Sequence, residues 1–182
     1  MTEIEYTDLK DTYIENLTKM VVDVGGLIPH IAIFAEHLDT TESDKPALVY
    51  IMIPQEHIES DDSKDKFVDE ILPSVFKAVN QKFNVYGVAW ASEAWVRTAP
   101  KDFDMEKEDW KAVPIKKEVV IISIEKENDT NTILYNITRD GKQVTEDGDI
   151  VDKITLELAE DLQGGVAKGG RFSGLFNKLK NS

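Results

Sequence analysis

The spacing of apolar residues predicts a long helix over residues 3–24. Six apolar side chains recur there at intervals of three and four, which places them on one helix face; they are Leu9, Tyr13, Leu17, Met20, Val21 and Val24. Thr2 and Glu5 have the spacing of a capping box, in which each side chain bonds the other residue's amide. Gly25 follows the last apolar residue and can take the left-handed conformation that ends a helix.

A second helix is predicted over residues 61–83, where seven apolar residues share one face: Val68, Ile71, Leu72, Val75, Phe76, Val79 and Phe83. Ser60 stands at the N-cap position, where its hydroxyl can accept an amide hydrogen bond. Pro73 lies inside the apolar pattern. Because proline has no amide hydrogen and clashes with the preceding turn, we expect a kink or two shorter helices here.

Five segments have the alternating or continuously apolar pattern of β-strands; they are residues 27–36, 47–53, 84–98, 117–126 and 132–139. Residues 47–53 are apolar on both faces, which predicts a central strand. The strand over residues 84–98 is long enough to need a bulge, for which Gly87 and Ser92 are the candidates.

The remaining signals define the fold class. Asp140-Gly141 predicts a turn after the last of these strands, and residues 154–158 fit either a short strand or a helical turn. Two helices are too few to cover both faces of such a sheet. The sequence therefore predicts an α+β two-layer sandwich, in which a mostly antiparallel sheet of about five strands carries both helices on one face.

Charge divides the chain into a body and a tail. The 182 residues carry a net charge of −14, yet residues 164–182 contain no acidic residue. The basic residues of that stretch are Lys168, Arg171, Lys178 and Lys180, and two glycine pairs lie beside them. We predict a single α+β domain over residues 1–163 and a basic, glycine-rich tail over residues 164–182.

Composition argues against several classes of function. A chain without cysteine forms no disulfide, thiolate nucleophile or cysteine zinc site. Its negative charge opposes generic nucleic-acid binding and adsorption to anionic membranes. The first residues lack the apolar stretch of a secretion signal, so we expect a cytoplasmic protein, or one of the host cytoplasm if it is viral. Because His30, His37 and His57 are scattered, we predict neither a metal nor another cofactor.

Glu93, Trp95 and Arg97 alternate along the predicted strand 84–98 and therefore share one of its faces. They form a candidate polar site, walled by the tryptophan, in which Glu93 acts as an acid, a base or a ligand anchor. Alternatively, the role of these residues is structural. Glu93 and Arg97 then form an ion pair at the strand end, and Trp95 packs under a loop. The sequence leaves both interpretations open.

A resemblance covers about the middle third of the chain. The string VAWASEAW at residues 88–95 is followed by KKEVV at residues 116–120 and by a hairpin that ends in Arg139-Asp140-Gly141. This succession resembles an uncharacterised protein family of bacteria and phages, in which a SEAW strand precedes an (R/K)-E-V hairpin. The resemblance implies a prokaryotic or viral source and one domain over this part of the chain, and it implies no catalytic role.

Four apolar residues of the tail, Phe172, Leu175, Phe176 and Leu179, have helical spacing and follow Arg171. These five residues form a predicted docking site, for a protein partner or for self-association. Three interpretations stay open. The segment can fold as an amphipathic helix on a partner, it can pack back on its own acidic body, or it can be a frayed terminus.

The sequence favours an accessory or protein-interaction domain without enzymatic activity. The alternative is a small enzyme with a polar pocket around Glu93. A second alternative is an acidic inhibitor that resembles DNA, because carboxylates form two clusters. One lies around the start of the second predicted helix and consists of Glu56, Glu59, Asp61, Asp62, Asp65 and Asp69. The other lies in a predicted turn and consists of Glu146, Asp147, Asp149 and Asp152.

Overall fold

The computed structural model describes residues 1–39, 45–97, 115–160 and 174–182, which form an α+β fold. The strands are β1 (His30–His37), β2 (Ala47–Met52), β3 (Phe83–Arg97), β4 (Ile115–Lys126), β5 (Asp129–Val144) and β6 (Ile150–Leu158). Neighbouring strands are antiparallel throughout, in the order β2-β1-β3-β4-β5-β6. The α+β class with an antiparallel sheet is therefore confirmed, whereas the sheet has six strands instead of about five because β6 is a full strand.

The helices are α1 (Glu3–Val24), α2 (Asp61–Lys66), α3 (Leu72–Asn80) and α4 (Leu175–Lys180), and a 3-10 turn covers Gln55–His57. The first of them matches the prediction at both ends. Thr2 and Glu5 form the capping box, and Gly25 ends the helix at a φ of 70°. None of the helices in the described ranges has the length and hydrophobicity that crossing a bilayer would require.

The second predicted helix is interrupted just before Pro73. A π-helical turn over Phe67–Ile71 separates α2 from α3, and the Leu72 amide donates to the Phe67 carbonyl, five residues back. Pro73 has no amide hydrogen to continue the α-helical pattern, and its ring would press on the carbonyl of residue 69 in a regular helix. Of the two predicted outcomes, a kink or two shorter helices, the structure has two shorter helices, which a π-helical turn joins.

The helices lie on both faces of the sheet. In β1, Ala32 and Phe34 belong to the cluster that includes α1, whereas Ile31 and Ile33 belong to the cluster that includes α3 and α4. Successive side chains of a strand point to opposite faces. The prediction of a two-layer sandwich with both helices on one face is therefore wrong. The physical reason is that β1 is apolar on both faces, so both faces need a covering layer.

Strand β2 lies at an edge of the sheet, although its apolar pattern predicts a central strand. It pairs with β1, and no other strand of the described ranges pairs with it. Tyr50 and Met52 are 42% and 55% exposed. The prediction of a central strand is wrong because apolar side chains report what the faces of a strand contact, not whether both of its edges are paired.

The sequence predicts two local irregularities, a bulge at Gly87 or Ser92 and a turn at Asp140-Gly141. In β3, Gly87 pairs with Phe34 and Val85 pairs with Ala35, so Tyr86 is an extra residue directly beside the predicted bulge position. The predicted turn at Asp140-Gly141 is instead a bulge inside β5, with Gly141 at a φ of 79°. Because the pairing with β6 resumes beyond this point, the glycine bends the strand without ending it.

Candidate functional site

The three predicted site residues of β3 have different surroundings. The side chain of Glu93 is 29% exposed and each of its carboxylate oxygens accepts one hydrogen bond, whereas Trp95 is 64% exposed. The backbone of Arg97 pairs with Ile115, and its side chain lies outside what the structure describes. The proposed pairing of Glu93 with Arg97 therefore stays a prediction, and the cation that Glu93 contacts is a different arginine.

That arginine is Arg139 of β5, which is surrounded by three carboxylates. Its guanidinium donates to Glu118 at 2.7 and 3.0 Å, to Glu93 at 3.0 Å and to Asp152 at 3.2 Å. We call this group, Glu93, Glu118, Arg139 and Asp152, the Arg139 clasp. It joins four neighbouring strands, because each of the four residues comes from a different one.

The clasp also holds the connection that follows α1. The Leu27 amide donates to Glu93 at 2.8 Å, and Arg139 reaches the carbonyl of Gly25 at 3.4 Å. The hydrogen bond to Glu118 is the main cause that raises the pKa of Arg139 above its ordinary value. A cation that is bonded in this way stays charged, so the clasp is a permanent electrostatic tie between the end of α1 and the sheet.

The clasp unites residues that the sequence presents far apart. Glu93 belongs to the SEAW string, Glu118 to the KKEVV string and Arg139 to the hairpin end. Sequence reasoning found each string but not their contact. Pairing across β3, β4 and β5 brings the three side chains together, and no local spacing encodes that register.

A cavity of about 430 Å³ lies where β3 extends beyond the start of β1. It is lined by Leu27, Pro29, His30, Ile53, Ile58, Lys64, Trp90, Ala91, Ser92 and Glu93. Most of this lining is apolar. The two carboxylate oxygens of Glu93 already bond Leu27 and Arg139, which leaves the glutamate poorly placed to act as a base. The cavity is suited to holding a small apolar molecule.

The three histidines do not assemble into a site. His30 packs at 5.8 Å from the ring of Tyr13, His37 at 4.5 Å from Phe83, and His57 at 5.3 Å from Phe67. Burial lowers the pKa of His30, while its hydrogen bond to the carbonyl of residue 28 acts in the opposite direction. In the described part of the chain, no three His, Asp or Glu side chains are arranged to hold a metal ion.

The predicted tail residues that the structure describes are buried against the body. Leu175 and Leu179 are fully buried and Phe176 is 5% exposed. They pack in the same cluster as Phe76 and Val79 of α3. The two other members of the predicted docking site, Arg171 and Phe172, lie outside the described residues.

Polar contacts fix the segment 174–182 in this groove. Glu125 of β4, only 5% exposed, accepts the amide of Gly174 at 2.8 Å and the amide of Phe176 at 3.1 Å. The Asn80 side chain donates to the carbonyl of Leu179 at 2.6 Å, and Lys178 lies 3.5 Å from Asp69. We call the surface formed by α3, β3 and β4 beneath this segment the α4 groove.

Sequence reasoning missed Glu125 for an identifiable reason. Glu125 alternates with Ile122 and Ile124 on β4, so it points away from the face that α1 covers. The sequence analysis places both helices on one face, so it predicts no helix that would cover Glu125. The signal that could have found Glu125 is a single acidic residue on a strand face that a helix covers. A carboxylate buried in this way needs amide donors.

Comparison with protein families, with curated proteins and with solved structures gave no match to this chain. The case for its function therefore rests on three features of the molecule itself, the Arg139 clasp, the apolar cavity and the α4 groove.

Proposed function

We propose that this protein is an interaction domain without enzymatic activity, whose α4 groove binds a short, basic, amphipathic helix of a protein partner. One observation carries the proposal. A buried glutamate, Glu125, accepts two amides from the start of the segment that occupies the groove, while the apolar side chains of that segment are buried beside it. The segment 174–182 thus serves as an internal template for the partner.

The groove selects for a helix because of what it offers to the ligand's backbone. The first amides of any helix have no partner within that helix. Glu125 accepts two such amides, at Gly174 and Phe176, and both hydrogen bonds are made to the backbone. An apolar pattern like that of Leu175, Phe176 and Leu179 would then fill the floor of the groove.

Charge favours a basic ligand. Lys178 of the segment lies 3.5 Å from Asp69 at the rim, and the whole chain carries a net charge of −14. A surface of this sign attracts cationic partners over a distance of about one Debye length. A neutral or acidic helix would lose this attraction while it gained the same apolar contacts.

The occupant is short, which makes it exchangeable. Only three apolar side chains are buried by α4, and ordering the residues that carry them costs conformational entropy. Its advantage over a partner is its high effective concentration, because it belongs to the same chain. A partner helix must outcompete this built-in occupant, so we expect the segment to set the affinity of the domain.

The proposal is tested with a labelled peptide that has the sequence of residues 174–182. We measure its binding by fluorescence anisotropy to three full-length proteins: the wild type, a Phe176→Asp variant and a Phe176→Asp variant that also carries Glu125→Gln. Phe176→Asp places a charge in the apolar floor and should release the segment. A peptide with Phe176→Ser, whose charge is unchanged, is the matched control.

We expect the peptide to bind the Phe176→Asp protein at least tenfold more tightly than the wild type. The added Glu125→Gln change should weaken that binding, and the Phe176→Ser peptide should bind poorly to all three proteins. Equal binding to the wild type and to the Phe176→Asp variant would refute competition for the groove. Absence of binding by a Phe176→Asp protein with native circular dichroism, repeated with Leu179→Asp, would refute the docking site itself.

A small enzyme or ligand-binding protein is the second candidate, and the cavity beside Glu93 is the observation that favours it. Its apolar lining and volume are typical of small-molecule sites. The test is an NMR titration with indole and with phenol as probes. Saturable shifts at Trp90 and Ser92 that disappear in an Ile58→Trp variant, which fills the cavity, would support this candidate.

A further inference from the structure

The free edge of the sheet differs from the protected edges that proteins usually have. Strand β2 contains no charged residue, no proline and no glycine in the sequence ALVYIM. It pairs with β1 along one side, and no residue of the described ranges pairs with its other side. Native edge strands normally carry a charge, a proline or a bulge, because unpaired backbone groups attract another strand.

The side chains at this edge are also apolar and accessible. Leu48, Tyr50 and Met52 face the side of the sheet that α1 covers, since they pair with Phe34, Ala32 and His30 of β1. Tyr50 is 42% exposed and Met52 is 55% exposed. Exposed apolar side chains beside unpaired backbone groups are the features that strand addition uses.

The pattern of β2 is complementary to itself. If two copies meet antiparallel with Tyr50 at the centre, Tyr50 faces Tyr50 of the second copy. Leu48 then faces Met52, and on the other face of the strand Val49 faces Ile51. Every cross-strand pair is apolar and no like charges meet at the seam. Aromatic and β-branched pairs of this kind stabilise antiparallel strands.

We propose that two copies of this chain associate through β2, antiparallel, so that their six-stranded sheets join into one continuous sheet. The self-complementary side chains of β2, which form the seam between the two copies, favour a second copy over a strand of another protein. A foreign strand would be selected by charged or pocket-forming side chains, and β2 has no charged ones. This interface is separate from the α4 groove, because β1 lies between β2 and the strands β3 and β4 that form the groove.

The association should be weak and should respond to salt in an unusual direction. Each copy carries a net charge of −14, so the two bodies repel each other. Added salt screens this repulsion, while it leaves an apolar seam without ion pairs intact. We therefore expect more dimer at 0.5 M than at 0.05 M sodium chloride. Most charge-mediated protein contacts weaken under the same change.

The experiment is sedimentation equilibrium of the full-length protein over a range of concentrations at both salt levels. Tyr50→Lys and Met52→Lys each place a cation at the seam, and Val144→Lys is the matched control at another exposed apolar position, 69% accessible on β5. Each variant lowers the net negative charge by one, which reduces repulsion between the bodies. Loss of dimer can then be attributed to the seam alone.

We expect the wild type and Val144→Lys to form dimers that salt strengthens, and both β2 variants to associate at least tenfold more weakly. A monomeric wild type at all concentrations and salt levels would overturn the proposal. A dimer that both β2 variants retain would also overturn it, because the contact would then lie elsewhere. Denaturant unfolding of each variant verifies that the comparison is made between folded proteins.

Discussion

Two glutamates of the central strands, Glu93 and Glu125, have the same task but different surroundings. Each accepts a backbone amide from a segment distant in sequence, Glu93 from Leu27 and Glu125 from Gly174, both at 2.8 Å. Glu93 also contacts Arg139 and is 29% exposed. Glu125 is 5% exposed and forms no ion pair with a described residue; its other oxygen accepts the Phe176 amide.

Under the proposed function, the difference separates a permanent junction from an exchangeable one. In the Arg139 clasp, fixed charges of both signs hold the end of α1 against four strands. In the α4 groove, the carboxylate depends on the amides of whatever helix occupies it. A buried carboxylate without amide or cation partners is costly. An empty groove would therefore leave Glu125 without the amides of Gly174 and Phe176.

The largest expected effect comes from removing the cation of the clasp. Arg139→Met leaves Glu93, Glu118 and Asp152 close together without a positive charge. We expect the free energy of unfolding to fall by about 2–3 kcal/mol, since the loss of one partly exposed cation breaks its bonds to three carboxylates at once, while solvent screening limits the cost. Urea denaturation measures this loss. Lys142→Met removes an exposed cation that contacts Asp152 from outside the clasp, and it should cost only a small fraction of this loss.

The same substitution at the two glutamates sharpens the comparison. Glu125→Gln replaces one acceptor oxygen by an amino group that faces a buried amide, so we expect a loss of about 1–3 kcal/mol. Glu93→Gln keeps an oxygen for the Leu27 amide, and Arg139 retains Glu118, so its loss should be below about 1 kcal/mol. Urea denaturation of the two variants in parallel measures the two losses in the free energy of unfolding. A larger loss at Glu93 would contradict the distinction between the two sites.

The smallest expected effect is a pH dependence confined to the clasp. The ammonium of Lys142, followed by Arg139, lowers the pKa of Asp152 below its ordinary 3.8. An acid with a lowered pKa in the folded state stabilises the protein above its unfolded-state pKa. That stabilisation is lost as the pH falls through the lower, folded-state value.

We therefore expect the difference in urea midpoint between the wild type and Asp152→Asn to be constant from pH 7 to about pH 5. It should then shrink as the pH falls below about 4. Asp147→Asn, in the turn between β5 and β6, removes the same charge outside the clasp and is the control. A difference that stays constant through the acid range would show that Asp152 contributes through packing and not through its charge.

The elements that the sequence predicted well are those with local causes. The limits of α1 follow from Thr2, Glu5 and Gly25, which act within one turn of the helix ends. The irregularity before Pro73 follows from the missing amide of one residue. The bulge beside Gly87 follows from the length of one strand. In each case the physical cause lies within a few residues of its effect, so a sequence pattern is enough.

The features that escaped prediction are contacts between distant parts of the chain. Glu93 meets Arg139 across 46 residues, and Glu125 meets Gly174 across 49. The edge position of β2 depends on which strands pair with β1. The covering of both faces by helices depends on how the connections cross the sheet. None of these has a local spacing that a sequence pattern could reveal, because they depend on strand order, register and the paths of the connections.

The sequence by itself determined the positions of the helices and most strands, the caps of α1 and the apolar spacing of Leu175, Phe176 and Leu179. It did so because hydrogen bonding and side-chain periodicity act over a few residues. The tertiary structure alone decided that Glu93 pairs with Arg139 and that Glu125 accepts amides of the segment 174–182. Those partnerships arise from strand pairing and helix placement, where the surroundings of a carboxylate decide whether it forms an ion pair or accepts amides.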